Sequence, residues 1–225
     1  MNGIQTLRPK AFIFDLNGTM IDDMQFHAKA WASILNDDLG ASLTPEQVKL
    51  QMYGKNSELL ERVFGKGTFS RERENEISME KERRYQADYL PHMNLIDGLH
   101  AFLVQALGKN IKMAIGSAAI PFNINYILDN LDIRHYFEAI VSADDVEVSK
   151  PDPETFLKAA KLLNVSPDQC IVFEDAPKGV EAANNAGMKV VVLTTLHEPE
   201  DFKSGSHIIG FLSDYNDPLL NDFFS

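Results

Sequence analysis

Residues 11–19 read AFIFDLNGT. The four apolar residues 11–14 have the unbroken character of a strand buried on both faces, and a carboxylate, Asp15, follows at the strand's carboxyl end. Gly18 then permits a tight turn and Thr19 adds a hydroxyl. Short apolar runs return at IKMAIGS (111–117), AIVSA (139–143), CIVF (170–173) and VVVL (190–193). Helical patterns lie between them, at 98–107, 122–131, 153–163 and 178–186. Strand alternating with helix at this spacing predicts right-handed βαβ crossovers and an α/β fold, a doubly wound, Rossmann-like parallel sheet. Such sheets bind ligands at the carboxyl ends of their strands. Asp15, Ser117, Glu174 and Asp175 are therefore expected on one rim, with Lys150 in the loop after the AIVSA run.

Residues 22–92 break the alternation. Met24, His27, Ala28, Trp31, Ile34 and Leu35 fall at helical spacing, and Leu59, Leu60 and Val63 begin a second stripe. The run SRERENEISMEKERRYQADYL (70–90) reads as a third helix, highly charged, with Ile77, Tyr85 and Tyr89 as its apolar positions. The expectation is a helical cap domain over 22–92, inserted into a core of 1–21 and 93–225, with hinges near 19–23 and 92–97. The charged run 71–84 reads as a solvated helix face.

Composition excludes more than it identifies. With 21 basic against 33 acidic residues the net charge is −12, which disfavours nucleic acid or an anionic membrane as partner. An anionic substrate then needs a site that is locally positive or holds a metal. Cys170 is the lone cysteine, so no internal disulfide forms, and its apolar neighbours suggest a buried strand position in a cytoplasmic protein. The segment MNGIQTLRPK has no apolar signal-like stretch, and no run of about 18 apolar residues occurs. A monomer is expected. P-loop, HExxH, CxxC and GxSxG patterns are absent.

Carboxylates that converge on a rim repel one another and call for a cation; an all-oxygen cluster suits Mg²⁺. Lys150 and Ser117 would add a positive charge and a hydroxyl donor, as a phosphate bound beside such an ion requires. The inferred chemistry is metal-assisted phosphoryl transfer. Each residue also has a plainer reading. Asp15 could be a turn carboxylate, Lys150 a solvated loop lysine, and Glu174 and Asp175 acids favoured at the start of a helix near Pro177.

FDLNGT, GSA, SKPDPETF and FEDAPKGV, in that order and each at the end of a predicted strand or in the loop beyond it, resemble the four motifs of the haloacid dehalogenase superfamily. Within it, DLNGTMIDDMQFHAKAW resembles the opening of β-phosphoglucomutases and related sugar-phosphate phosphatases. The resemblance implies a four-helix cap and a small phosphorylated metabolite as substrate. It makes Asp15 the nucleophile and assigns Mg²⁺ to the Asp15 carboxylate, the backbone carbonyl of Asn17, and Asp175, with Glu174 in or behind the ligand shell. It also implies that Ser117 and the Ala118 N–H bind phosphoryl oxygens and that Lys150 neutralises developing charge. His27, on the apolar stripe, is either a packed residue or one that contacts substrate or moves a proton. Lys55 falls in the cap loop where mutases carry a basic residue for a distal phosphate.

Asn17 departs from that pattern, because phosphatases of the family carry an acid/base Asp there. An amide donates a hydrogen bond but neither delivers nor accepts a proton near neutral pH, and general acid–base catalysis contributes about 10²- to 10⁴-fold. Three readings follow: a Mg²⁺-dependent phosphohydrolase slowed at that step, a β-phosphoglucomutase-type mutase, and a phosphate-ligand-binding protein without turnover. A dehalogenase reading ranks lower, since it leaves Glu174 and Asp175 without a purpose.

Overall fold

The computed structural model describes residues 8–224. The chain divides into two compact units, one that runs to Asp22 and resumes at Asn94, and one that spans Asp23–Met93. The strands are β1 (Ala11–Phe14), β2 (Lys112–Gly116), β3 (Ala139–Val141), β4 (Cys170–Glu174), β5 (Lys189–Leu193) and β6 (Ile208–Leu212). The helices are α1 (Met24–Ala32), α2 (Pro45–Gln51), α3 (Asn56–Phe64), α4 (Arg71–Tyr89), α5 (Leu99–Gly108), α6 (Pro121–Asn130), α7 (Glu154–Leu163) and α8 (Pro177–Asn185).

The first unit is a six-stranded sheet in the order β3-β2-β1-β4-β5-β6, with every neighbouring pair parallel. From β1 the chain winds outward through β2 to β3, then returns to lay β4 on the other side of β1. The strand order therefore reverses beside β1, and at such a switch point the flanking loops leave in opposite directions and open a crevice. All four residues of β1 are completely buried, as its unbroken apolar run requires. Phe14 stacks on Phe173 of β4 at 4.8 Å between centroids, which ties together the two strands that border the crevice. The opposite face packs Ile13 and Val172 with Phe156, Ala159 and Leu163 of α7.

Five of the six strands coincide with the apolar runs of the sequence. The sixth, IIGFL, is not signalled by the sequence because Gly210 interrupts it and its residues are partly buried or, at Phe211, exposed until Leu212. It is an edge strand, and its register against β5 slips between Val190 and Val191, which pair with Ile208 and Gly210.

The helical unit encloses its own apolar cluster of Trp31, Ile34, Leu35, Val48, Leu59, Leu60 and Ile77. Helix α1 continues into a π-helical stretch, Ser33–Asp38. Thr44 and Gln47 form a reciprocal capping box at the start of α2, and the Ser70 hydroxyl accepts from the Arg73 N–H at the start of α4. The T-x-x-Q spacing of that box is a legible start signal for α2, the helix that apolar periodicity alone did not suggest. Among the described residues, no helix is long and apolar enough to cross a membrane.

Candidate active site

Asp15 leaves β1 where the sheet order reverses, and Glu174 and Asp175 close β4 beside it. Lys150, in the loop between β3 and α7, reaches the same rim. Its Nζ lies 2.6 Å from Asp15 Oδ1 and 2.9 Å from Glu174 Oε1. It also sits 4.5 Å from the ring centre of Phe156, in cation–π contact. All three groups are at least nine-tenths buried. Burial opposes the Lys150 charge, yet the two carboxylates outweigh it and raise the ammonium's pKa above the ordinary lysine range. Lys150 is thus a fixed cation and a poor proton donor.

The other Glu174 oxygen, Oε2, accepts the backbone N–H groups of Asp175 (2.7 Å) and Ala176 (2.6 Å), which precede α8. Both Glu174 oxygens are therefore engaged, one by Lys150 and the other by the N–H groups ahead of α8. Gly179 makes room for this approach, since a Cβ there would lie 1.6 Å from Glu174 Oε1.

Asp175 points toward the loop after β1. Its Oδ1 accepts the Thr19 hydroxyl at 3.0 Å, and its Oδ2 would stand 2.2 Å from a Cβ at Gly18. Gly18 also has φ +76°, so glycine meets both a backbone and a packing demand. Burial pushes the Asp15 carboxyl up to about 6, with the Lys150 charge opposing and the Glu174 charge adding to the rise. Asp175 is held well above the usual carboxylate range by burial, then by the charges of Glu174 and Asp15.

Asp15 and Glu174 thus share one ammonium while a third buried carboxylate, Asp175, has among the described residues only the Thr19 hydroxyl, and this excess of negative charge is what a divalent cation would relieve. Among the described residues, no group of three or more His, Cys, Asp or Glu side chains is arranged to hold a metal ion. A smaller donor set could hold such an ion, the carboxylates of Asp15 and Asp175 with the Asn17 backbone carbonyl, all hard oxygen donors.

Ser117 follows β2 on the same rim, buried, and its Oγ accepts the Ala119 N–H at 3.1 Å. The turn so formed contains Ala118. Asn17 is half-buried and bridges to Ile21 through its backbone. His27 and Lys55 belong to the helical unit. The His27 ring stacks on Tyr85 at 3.7 Å; its Nδ1 is 2.5 Å from Lys81 Nζ and its Nε2 is 3.3 Å from Asp23 Oδ2. Tyr85 donates to Asp23, and Lys81 and Asn56 donate to Glu82. Lys55 precedes α3, where its N–H donates to Glu58 Oε2 at 3.0 Å.

Two partners of the site escaped the sequence reading. Thr195 donates from its hydroxyl to the Gly18 carbonyl at 2.6 Å, and the Tyr215 hydroxyl donates to the Thr19 carbonyl at 3.0 Å. Neither belongs to a recognisable motif. Thr19, by contrast, stands inside FDLNGT and was visible there as a hydroxyl.

Comparison with known proteins places this geometry in context. Residues 12–193 match the family model of the haloacid dehalogenase-like hydrolases. Fructose-1-phosphate phosphatase YqaB of Escherichia coli is 32% identical over 191 residues, covering 82% of this chain and 96% of the relative. A β-phosphoglucomutase of Bacillus subtilis is 34% identical over 188 residues, covering 81% of this chain and 82% of its own. Among solved structures, a β-phosphoglucomutase from Clostridium difficile is similar with a TM-score of 0.81 and 27% identity, covering 96% of this chain and 98% of the other.

Proposed function

The chain belongs to the haloacid dehalogenase-like hydrolase family and is an enzyme of its phosphatase and phosphomutase type; from that premise we propose that it is a Mg²⁺-dependent phosphohydrolase of small phosphorylated sugars, acting through an aspartyl-phosphate on Asp15. The observation that carries this reading is the buried Asp15–Lys150–Glu174 chain at the sheet's switch point. The helical unit is proposed as the cap domain that selects the substrate, with His27 and Lys55 as its candidate contacts.

In the proposed reaction a carboxylate oxygen of Asp15 attacks phosphorus as the bond to the sugar oxygen breaks. Lys150, its proton held by flanking carboxylates, neutralises charge that grows on the phosphoryl oxygens. The Ser117 hydroxyl and the Ala118 N–H bind those oxygens. Asp15, the Asn17 carbonyl and Asp175 would hold Mg²⁺, which when bound supplies the positive charge that lets a phosphate dianion approach a carboxylate. Water then attacks the aspartyl-phosphate, which releases phosphate and restores Asp15. The sugar oxygen must gain a proton in the first half and the water must lose one in the second. Asn17 can orient either oxygen through its amide, but it transfers neither proton.

The test is phosphate release from a panel of sugar phosphates with and without Mg²⁺, comparing the native chain with Asn17→Asp. Mg²⁺-dependent release that rises in the variant supports the reading. No release from either protein on any substrate overturns it.

His27 and Lys55 in the helical unit support a second reading, a phosphosugar mutase, in which the phosphoenzyme returns its phosphoryl group to a sugar instead of water. Stimulation of phosphoglucose turnover by a catalytic amount of the bisphosphate would support it. Stoichiometric phosphate release without isomerised product would exclude it.

A further inference from the structure

The loop after β1 is gripped from outside along its length. Three consecutive carbonyls, those of Gly18, Thr19 and Met20, each accept a hydrogen bond from a different distant segment: Thr195 Oγ1 at 2.6 Å, the Tyr215 hydroxyl at 3.0 Å, and the Ile96 N–H at 2.9 Å. Two of these donors are side chains from beyond β5. Thr195 is steadied by its neighbour Thr194, whose N–H and hydroxyl both reach the Leu212 carbonyl at the end of β6, at 2.8 and 3.1 Å. Tyr215 is steadied by its own N–H, which donates to the Asp97 carbonyl at 2.9 Å, and by ring contacts with Phe102 and Phe173 at 5.6 Å each. The grip leads into the site. The residue whose carbonyl Tyr215 holds is Thr19, and the Thr19 hydroxyl orients Asp175.

We propose that Thr195 and Tyr215 are positioning residues of the Asp15 site, whose hydroxyls fix the 17–19 backbone so that the Asn17 carbonyl, Asp15 and Asp175 face one point. Both lie beyond residue 193, outside the stretch that the family model matches, so the chain after β5 supplies a working part of the site. The proposal rests on the phosphohydrolase reading for its catalytic consequence, while its structural consequence is measurable without substrate. A hydroxyl that only filled space would be replaceable by a methyl group or a hydrogen. Here each one neutralises a carbonyl that otherwise turns toward water and carries the loop with it.

The test compares Tyr215→Phe and Thr195→Val, which keep size and lose one hydroxyl each, with Thr195→Ser, which keeps the hydroxyl. Three readouts are taken: apparent Mg²⁺ affinity from the thermal shift produced by MgCl₂ alone, amide hydrogen exchange across 16–21, and kcat against KM. The expected result is a rise of about three- to tenfold in half-saturating Mg²⁺ for Tyr215→Phe and Thr195→Val, the scale of one hydrogen bond. Faster exchange in the loop and a fall in kcat with little change in KM accompany it, and Thr195→Ser stays near native. Lower melting temperature with unchanged Mg²⁺ affinity and loop exchange in either Val or Phe variant would overturn the proposal, since those residues would then be structural only. If one variant fails to fold, the other decides. A native protein that shows no Mg²⁺ shift at all refutes the metal-dependent reading itself, whereas a normal native shift that the variants reproduce refutes the clamp alone.

Discussion

Among the described residues each unit contains a buried ionic cluster, and the two differ in their balance of charge. In the sheet unit Lys150 lies between Asp15 and Glu174, with Asp175 nearby, and its ammonium pKa is raised. In the helical unit Lys81 lies between His27 and Glu82, and burial lowers its pKa below the ordinary lysine range. Both clusters draw on neutral donors: the Tyr85 hydroxyl for Asp23 at 2.5 Å and the Asn56 amide for Glu82 at 2.7 Å in the helical unit, and the Thr19 hydroxyl for Asp175 and two backbone N–H groups for Glu174 in the sheet unit. They differ in balance: the sheet cluster sets three buried carboxylates against one ammonium, with Asp15 pushed up to about 6, whereas the helical cluster sets two, Asp23 and Glu82, against Lys81 and the His27 ring. In the helical unit the network braces the His27 ring that is proposed above as a substrate contact. The larger surplus, at a switch point, suits the receptor proposed above for a cation and its accompanying anion.

This contrast can be broken at its centre first. Asp15→Asn keeps the shape of the sheet cluster but removes the nucleophile, and phosphate release should fall by about 10⁴-fold or more in steady-state assays. Residual activity within tenfold of native would deny the sheet cluster its catalytic role. Asn17→Asp should act in the other direction, with a gain of about 10²- to 10⁴-fold in kcat. An unchanged rate would mean that a different group already moves the proton.

Lys150→Met leaves buried carboxylates without their cation. Activity should drop by about 10²- to 10³-fold, and stability should fall by about 3 to 5 kcal/mol in urea denaturation. The smallest effect belongs to the helical cluster, where Tyr85→Phe removes one donor to Asp23 and should cost about 1 to 3 kcal/mol of stability. Apparent Mg²⁺ affinity should not change in that variant. A Mg²⁺ affinity that moved with Tyr85 would erase the distinction between brace and receptor.

Much of this arrangement is legible in the chain itself, for physical reasons that differ by element. AFIF announces β1 because a strand covered on both faces has no polar alternation to hide it. The ends of the apolar runs locate Asp15, Ser117, Glu174 and Asp175, since a parallel sheet collects its strand termini on one rim. What stays hidden depends on tertiary geometry. The Glu174 carboxylate turns to Lys150 and to the N–H groups ahead of α8, which no local pattern specifies. IIGFL is concealed by Gly210 and by partial exposure at the sheet's edge. Thr195 and Tyr215 reach the first loop from 177 and 196 residues away, and only the folded chain brings them there.

The most direct measurement is the intact mass and peptide map of the native protein, acid-quenched during turnover of a sugar phosphate with Mg²⁺, with Asp15→Asn treated alongside. The account predicts the mass of one added phosphoryl group on the peptide that carries Asp15, labile to hydroxylamine and missing from the variant. Phosphate release that continues in Asp15→Asn, with no adduct on the native chain, would contradict it.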